Sequence, residues 1–206
     1  MEPFRQLRSI AIPLGVPNVD TDRIKPARFG LPSGVDYGQF MLHDLRFDEA
    51  GNPRADSVFH RPAYSGARIL VADTNFGCGS SRESAVWCLR DYGFRCVVAP
   101  SFGDIFTGNC FKQGLLPVVL PAVEVAALRR ELEESPGAEV EVDLGAQELR
   151  TPSGAAHRFE VDPFRKHCLY EGIDELTLTA RHEQAIAGFE EQQASARPWV
   201  ADPPGR

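Results

Sequence analysis

One segment constrains this chain more than any other. A run of apolar residues at 68–72 leads through Asn75-Phe76-Gly77-Cys78-Gly79-Ser80-Ser81-Arg82-Glu83 into a stretch with apolar residues at Ala85, Leu89 and Tyr92. That is a buried strand, a glycine-rich turn and a helix of period 3.6. The unit then repeats. Cys96–Ala99 reads as a second strand, residues 101–113 as a second helix stopped by Gly114, and residues 116–120 as a third strand. Short strand–helix–strand units demand a parallel sheet with right-handed crossovers, so the fold class is α/β.

The flanks differ from this centre. Residues 9–14 are apolar enough for an additional strand, and Asn18-Val19-Asp20-Thr21-Asp22 follows with turn-forming polar residues. Residues 28–62 are rich in Gly, Pro and charge. An excursion of that length is functional or mobile in a compact domain, with short helices expected near residues 39–45. Residues 138–144 alternate, with Val140, Val142 and Leu144 on one face. Further strands near 148–151 and 157–161 would complete a small antiparallel sheet. Helices are expected at Pro163–Glu171 and at residues 180–192. The expected organisation is a single domain over residues 1–193 and a loose tail over 194–206.

Composition excludes several functions. The chain has 206 residues, 43% of them hydrophobic, enough for a core, and a formal charge of -7 with its signs intermixed. A nucleic-acid surface would want clustered Lys and Arg instead. No early apolar run has the length of a signal peptide or a membrane span, so a cytoplasmic location is expected. The five cysteines, Cys78, Cys88, Cys96, Cys110 and Cys168, are odd in number and none forms a C-x-x-C pair. Neither a disulfide framework nor an iron–sulfur cluster held by this chain alone is expected, and no metal ligands are assigned.

The turn at residues 75–83 is where chemistry is expected. Gly77 and Gly79 let the backbone come close to a ligand. Ser80 and Glu83 have capping-box spacing, and a helix N-terminus there would attract an anion. Arg82 adds a two-pronged donor suited to a carboxylate. A dinucleotide fingerprint would need Gly or Ala where Arg82 stands, a P-loop would need a Lys, and no G-x-S-x-G elbow is present. Cys78 lacks a nearby His to activate it. The same residues would also serve as an ordinary helix cap in any α/β protein, and the residues alone leave both readings open.

The segment Asn75–Glu83 resembles the signature of 3-isopropylmalate dehydratase small subunits and is similar to the matching segment of aconitases. Asn18-Val19-Asp20-Thr21-Asp22, Asp91-Tyr92-Gly93-Phe94, Ala99-Pro100-Ser101-Phe102, Asp104-Ile105-Phe106, Leu115-Leu116-Pro117-Val118, Phe164-Arg165 and His167-Cys168 follow in family order. The resemblance spans roughly residues 9–192. It implies a swivelling domain of the aconitase C-terminal type: three layers, β/β/α, with a central parallel-rich sheet and a small antiparallel sheet. It also implies a large-subunit partner that carries a [4Fe–4S] cluster, with no cofactor in this chain. By resemblance, Ser80 is the base that removes a proton beside a carboxylate, and Asp22 is an acidic residue near it. Gly79, Ser81 and Arg82 bind the substrate carboxylate.

The implied reaction is dehydration of 2-isopropylmalate and rehydration to 3-isopropylmalate, a hydro-lyase step of leucine biosynthesis performed by a heterodimer. The alternatives are a related hydro-lyase of citraconate, methylmalate or homoaconitate type, or a non-catalytic carboxylate-binding subunit. Two departures from the family bear on the choice. Ser84 stands where the family often has His, and residues 23–30 read Arg-Ile-Lys-Pro-Ala-Arg-Phe-Gly, without the usual apolar pair before the Pro. In this family that loop helps to choose the substrate side chain, so Arg28 joins the candidate substrate-binding residues. Lys25 is expected to face solvent, as most surface lysines do. Arg28 is open between solvent and pocket.

Overall fold

The computed structural model describes residues 1–79 and 82–199. In chain order the elements are β1 (Gln6–Pro13), α1 (Thr21–Ile24), α2 (His43–Arg46), β2 (Ile69–Val71), α3 (Glu83–Tyr92), β3 (Cys96–Ala99), α4 (Asp104–Gln113), β4 (Leu116–Val119), α5 (Ala122–Glu134), β5 (Glu139–Asp143), β6 (Glu148–Arg150), β7 (Ala156–Arg158), α6 (Pro163–Glu171), α7 (Glu175–Ala180) and α8 (Glu183–Ala196).

Strand order in the sheet is β4-β3-β2-β1-β5-β6-β7. The first four strands are parallel, and β5 to β7 continue antiparallel. The two halves share β1. Its first half, from Gln6 to Ile10, pairs with β5, and its last three residues, from Ala11 to Pro13, pair with β2.

The alternation of side chains along these strands builds three layers. Leu70, Ala72, Val97 and Ala99 pack on one face with Ala85, Val86, Cys88 and Leu89 of α3 and with Phe106 and Cys110 of α4. Ile69, Val71, Cys96, Val98, Leu116 and Val118 point the other way. They meet Val125, Leu128 and Leu132 of α5, Val140 and Val142 of β5, Leu149 of β6 and Leu169 of α6. The result is helices, parallel sheet, and curled antiparallel ladder with α5, the β/β/α arrangement expected.

The chain divides into two compact units, Met1–Gly172 and Ile173–Arg206. That division falls earlier than the boundary expected at residue 193, which lies inside α8. The second unit contains α7, capped by Asp174, whose side chain accepts from the Thr177 N–H (2.8 Å), and α8. Of the tail expected at 194–206, residues 194–196 belong to α8 and residues 200–206 lie outside the described residues.

Two local expectations change. α5 is an element that the sequence patterns above leave unassigned, although Val125, Leu128 and Leu132 stand at helical spacing and are buried. The capping box expected of Ser80 and Glu83 turns on Ser80, which lies outside the described residues. The cap position of α3 belongs to Arg82, with no side-chain cap, and the Glu83 carboxylate accepts from Gln113 Nε2 (2.7 Å). The helix begins at Glu83, the last residue of the motif.

The excursion at 28–62 is ordered by short 3-10 turns at Ala27–Phe29, Tyr37–Phe40 and Val58–His60, together with α2. Arg46 pins it. Its Nη1 donates to the carbonyls of Gly38 and Met41 (both 3.1 Å), and its guanidinium lies over the Phe47 and Tyr92 rings, 4.9 Å from each centroid.

Candidate active site

Three loops meet at the C-terminal ends of the parallel strands, the usual place for a ligand in an α/β sheet. They follow β1, β2 and β3. The first two are zipped together by backbone hydrogen bonds. Asn18 N–H donates to Thr74 O (2.9 Å), Gly77 N–H to Val19 O (2.7 Å) and Thr21 N–H to Cys78 O (3.0 Å). Asn18 and Asn75 both adopt positive φ, and Asn75 Nδ2 donates to Asn18 Oδ1 (2.9 Å). Asn tolerates the left-handed region better than most residues with a side chain, which explains why both corners carry it.

The third loop braces the turn from behind. Asn75 N–H donates to Ser101 Oγ (2.9 Å), and Gly103 N–H to Phe76 O (3.0 Å). Gly77 has φ +70, and a Cβ there would run into the Phe106 ring. A Cβ on Gly103 would collide with the Gly77 carbonyl. Glycine is required at both positions by close approach.

The loop after β1 has a division of labour. Val19 is fully buried, the Asp20 carboxylate accepts from Arg23 N–H (2.7 Å) to cap α1, and Asp22 projects outward. Arg82 then forms an ion pair with Asp22, joining two residues sixty positions apart. Gly79 (φ +89) packs beside Asp20 and Thr21. The structure thus brings together Asp22, Gly79 and Arg82. Ser80 and Ser81 lie outside the described residues.

Arg82 opens onto a cleft of about 610 Å³ lined by Lys25, Ala27, Gly30, Leu31, Arg82, Glu83, Ser84 and Trp87. Trp87 is braced edge-on by Tyr37 (centroids 5.4 Å apart), whose hydroxyl donates to Pro32 O (2.9 Å). The cleft therefore has cationic groups beside an apolar wall of Ala27, Leu31 and Trp87.

The two cations of the loop part company, Lys25 against expectation and Arg28 in a direction the sequence left open. Lys25 does not face solvent: it is 3% exposed, and its ammonium donates to Gly30 O. Burial follows from the fold-back of the chain, because the 3-10 turn at Ala27–Phe29 and Gly30 (φ +59) return the backbone over Lys25. Arg28 is not among the residues lining this cleft. It reaches across a separate recess to both carboxylate oxygens of Asp44 and lies over Phe29, 4.6 Å from the centroid. That bond holds the Asp44 carboxyl below the usual carboxylate range and raises the Arg28 guanidinium.

Cysteine placement bears on cofactors. Cys88, Cys96 and Cys110 are buried, and burial pushes the Cys88 thiol up to about 12. Among the described residues no group of three or more His, Cys, Asp or Glu side chains is arranged to hold a metal ion. The residues present do not fit an iron–sulfur cluster, since buried neutral thiols on separate elements cannot converge on one. No helix of the described residues is long and apolar enough to cross a membrane.

Sequence reasoning missed Lys25 and Trp87 as cleft residues and Ser101 and Gly103 as braces. Helical spacing from Glu83 would have found Trp87, four residues along on α3. Nothing local marks the other three, whose roles come from contacts across the fold.

The aconitase C-terminal domain family matches residues 1–123 and the LeuD_N family residues 126–163. The family of C-terminal domains of the 3-isopropylmalate dehydratase small subunit matches residues 176–202. The 3-isopropylmalate dehydratase small subunit of Parvibaculum lavamentivorans is 47% identical over 201 residues, covering 97% of this chain and 100% of its own. Its counterpart from Paramagnetospirillum magneticum is 46% identical over the same span. A crystal structure of 3-isopropylmalate dehydratase from Methanocaldococcus jannaschii superposes with a TM-score of 0.65 over 89% of this chain and 98% of that one. At 24% identity, that likeness bears on the fold alone. Full-length identity at this level, together with the matching family models, leads to one conclusion: the chain belongs to the 3-isopropylmalate dehydratase small-subunit family.

Proposed function

We propose that this chain is the small subunit of a cytoplasmic heterodimer that interconverts 2-isopropylmalate and 3-isopropylmalate by dehydration and rehydration. The observation that carries the reading is the meeting of Asp22, Gly79 and Arg82 beside a cleft, in a chain 47% identical over its length to a named small subunit. In this reading the Arg82 fork holds a substrate carboxylate, Ser81 and the Gly79 backbone complete that grip, and the Ser80 oxygen takes the proton from the adjacent carbon. Asp22 keeps Arg82 oriented before substrate arrives and stands close to the base.

A neutral hydroxyl is a weak base. A helix N-terminus contributes at most about 2 kcal/mol, or roughly 1.5 pKa units. Cationic side chains must supply more of the stabilisation. The cysteines of this chain do not fit a cluster, so the [4Fe–4S] group belongs on the large subunit. Purified alone, the chain is expected to carry no stoichiometric iron or sulfide.

The test is reconstitution with the large subunit, followed by the rise in ultraviolet absorbance as the unsaturated diacid forms. Wild type is expected to turn over isopropylmalate, and Ser80→Ala to abolish turnover while still assembling. Turnover of methylmalate or homocitrate-type substrates in place of isopropylmalate would assign a sister hydro-lyase. Full activity in Ser80→Ala would leave the chain a carboxylate-binding subunit.

A further inference from the structure

Lys25 and Arg82 both line the cleft, but their charges are balanced differently. Arg82 has Asp22. Lys25 has one bond, to the Gly30 carbonyl, and no carboxylate within ion-pair distance among the described residues. An ammonium carries three donors, so at least two remain. The neighbouring Cys88 thiol supplies no negative charge at neutral pH, since burial holds it protonated against the pull of Lys25 itself.

Removing a charge from water without a counter-charge is strongly unfavourable, which is why buried cations are nearly always paired. A solvent-facing lysine would avoid that cost by rotating outward. Here it stays in: the side chain is buried, its ammonium is bonded to the Gly30 carbonyl, and the residue lines the cleft. Three residues on, Arg28 shows the ordinary outcome, an exposed cation with its own acid, Asp44.

We propose that the Lys25 ammonium is a second carboxylate-binding cation of this cleft, taking a ligand carboxylate that Arg82 does not hold. The proposal deepens the reading of the chain as a hydro-lyase subunit and rests on it for the class of ligand. A dicarboxylic 2-hydroxy acid has such a group at its far end, and a tricarboxylic one has it on its side arm. The chemistry is the same, and Ala27, Leu31 and Trp87 would flank the carbon chain between the two cations.

The experiment uses the reconstituted pair. Inhibition constants are measured for the diacid that the wild type turns over and for each of its two mono-amides. Wild type is expected to bind the diacid roughly tenfold or more tightly than one of the mono-amides, the usual size of a charge-assisted bond lost to a neutral group. In Lys25→Met that ratio falls to near unity. Lys25→Gln, which keeps a donor for Gly30 O, loses the ratio as well, and Lys25→Arg restores most of it. A strut role would shift thermal unfolding and weaken both ligands alike, so an unchanged ratio in folded Met and Gln variants overturns the proposal. Failure of both neutral variants to fold, with an Arg variant that folds but has no ratio, overturns it too. A tricarboxylate whose kcat/KM falls in Lys25→Gln while the diacid's holds assigns the side arm as the source. If wild type turns over some other diacid, the reading of isopropylmalate fails, and the Lys25 ratio is read on that diacid instead.

Discussion

Two cavities lie on either side of the loop that follows α1, and each holds a cation from that loop. In the cleft, Lys25 is buried against a carbonyl and faces Arg82, Ser84 and Trp87. In the recess, Arg28 is about half exposed, paired with Asp44 and laid over Phe29. The two residues are three apart in sequence and carry the same charge. What separates them is how deeply each side chain is buried, and whether an acid stands within ion-pair distance. A paired, solvated cation reads as structure; a buried cation that lines a cleft with no acid within ion-pair distance among the described residues reads as a binding group.

The comparison breaks most easily at its glycines. Gly77 (φ +70) and Gly51 (φ +82) share a left-handed backbone, yet Gly77 abuts the Phe106 ring and Gly51 has open space. Gly77→Ala is expected to cost about 3 kcal/mol, strain plus overpacking. Gly51→Ala should cost about 1 kcal/mol, backbone strain alone. Urea unfolding of both variants measures the gap, and equal costs would mean that the turn has room to relax.

The acid–arginine pairs come next. Arg129 Nη1 donates to Asp73 Oδ2 (2.6 Å), tying α5 to the start of the site turn in a largely buried setting. Burial alone would raise the Asp73 carboxyl; the bonds from Arg129 and the Thr74 N–H outweigh it and hold the group below the ordinary range. A carboxyl with a depressed folded pKa contributes stability above its unfolded value, near 3.9, and loses it as pH falls through the folded value. Arg129→Met should therefore cost about 2 kcal/mol near pH 7. Its difference from wild type should narrow progressively below about pH 4. A constant difference across that range would mean that packing, not the ion pair, is what the arginine supplies.

Smaller still is the effect on catalysis of shortening the fork. Arg82→Lys keeps the charge and loses two-pronged geometry, so kcat/KM of the reconstituted pair should fall at least about tenfold, or 1.4 kcal/mol. Thermal unfolding should stay near wild type, since Arg82 is partly exposed. An unchanged kcat/KM would remove Arg82 from the site.

The smallest change is expected across the loop, at Arg28→Leu. It breaks an exposed pair worth less than about 1 kcal/mol. It should leave the ratio of kcat/KM for isopropylmalate and a tricarboxylate analogue unaltered. A shift in that ratio would place Arg28 back among the groups that choose substrate.

The sequence by itself determined everything that depends on near neighbours. The alternation of Val140 and Val142, the stop at Gly114 and the strand–turn–helix around Gly77 are local patterns, and each element formed where its pattern stood. The site motifs were legible for the same reason, since Asn18-Val19-Asp20-Thr21-Asp22 and Asn75–Glu83 are short and dense with residues of restricted backbone. α5 is legible too, in the spacing of Val125, Leu128 and Leu132, once those positions are aligned on one face. Only the tertiary structure decided which groups meet. Asp22 reaches Arg82 because β1 and β2 run parallel and deliver their loops to the same edge. Glu83 meets Gln113 because α4 packs alongside α3. Lys25 is buried because the backbone returns over it at Gly30 while α3 brings Ser84 and Trp87 to the same cleft. A charge's environment is set by groups tens of residues away, and the identity of the residue carries no record of them.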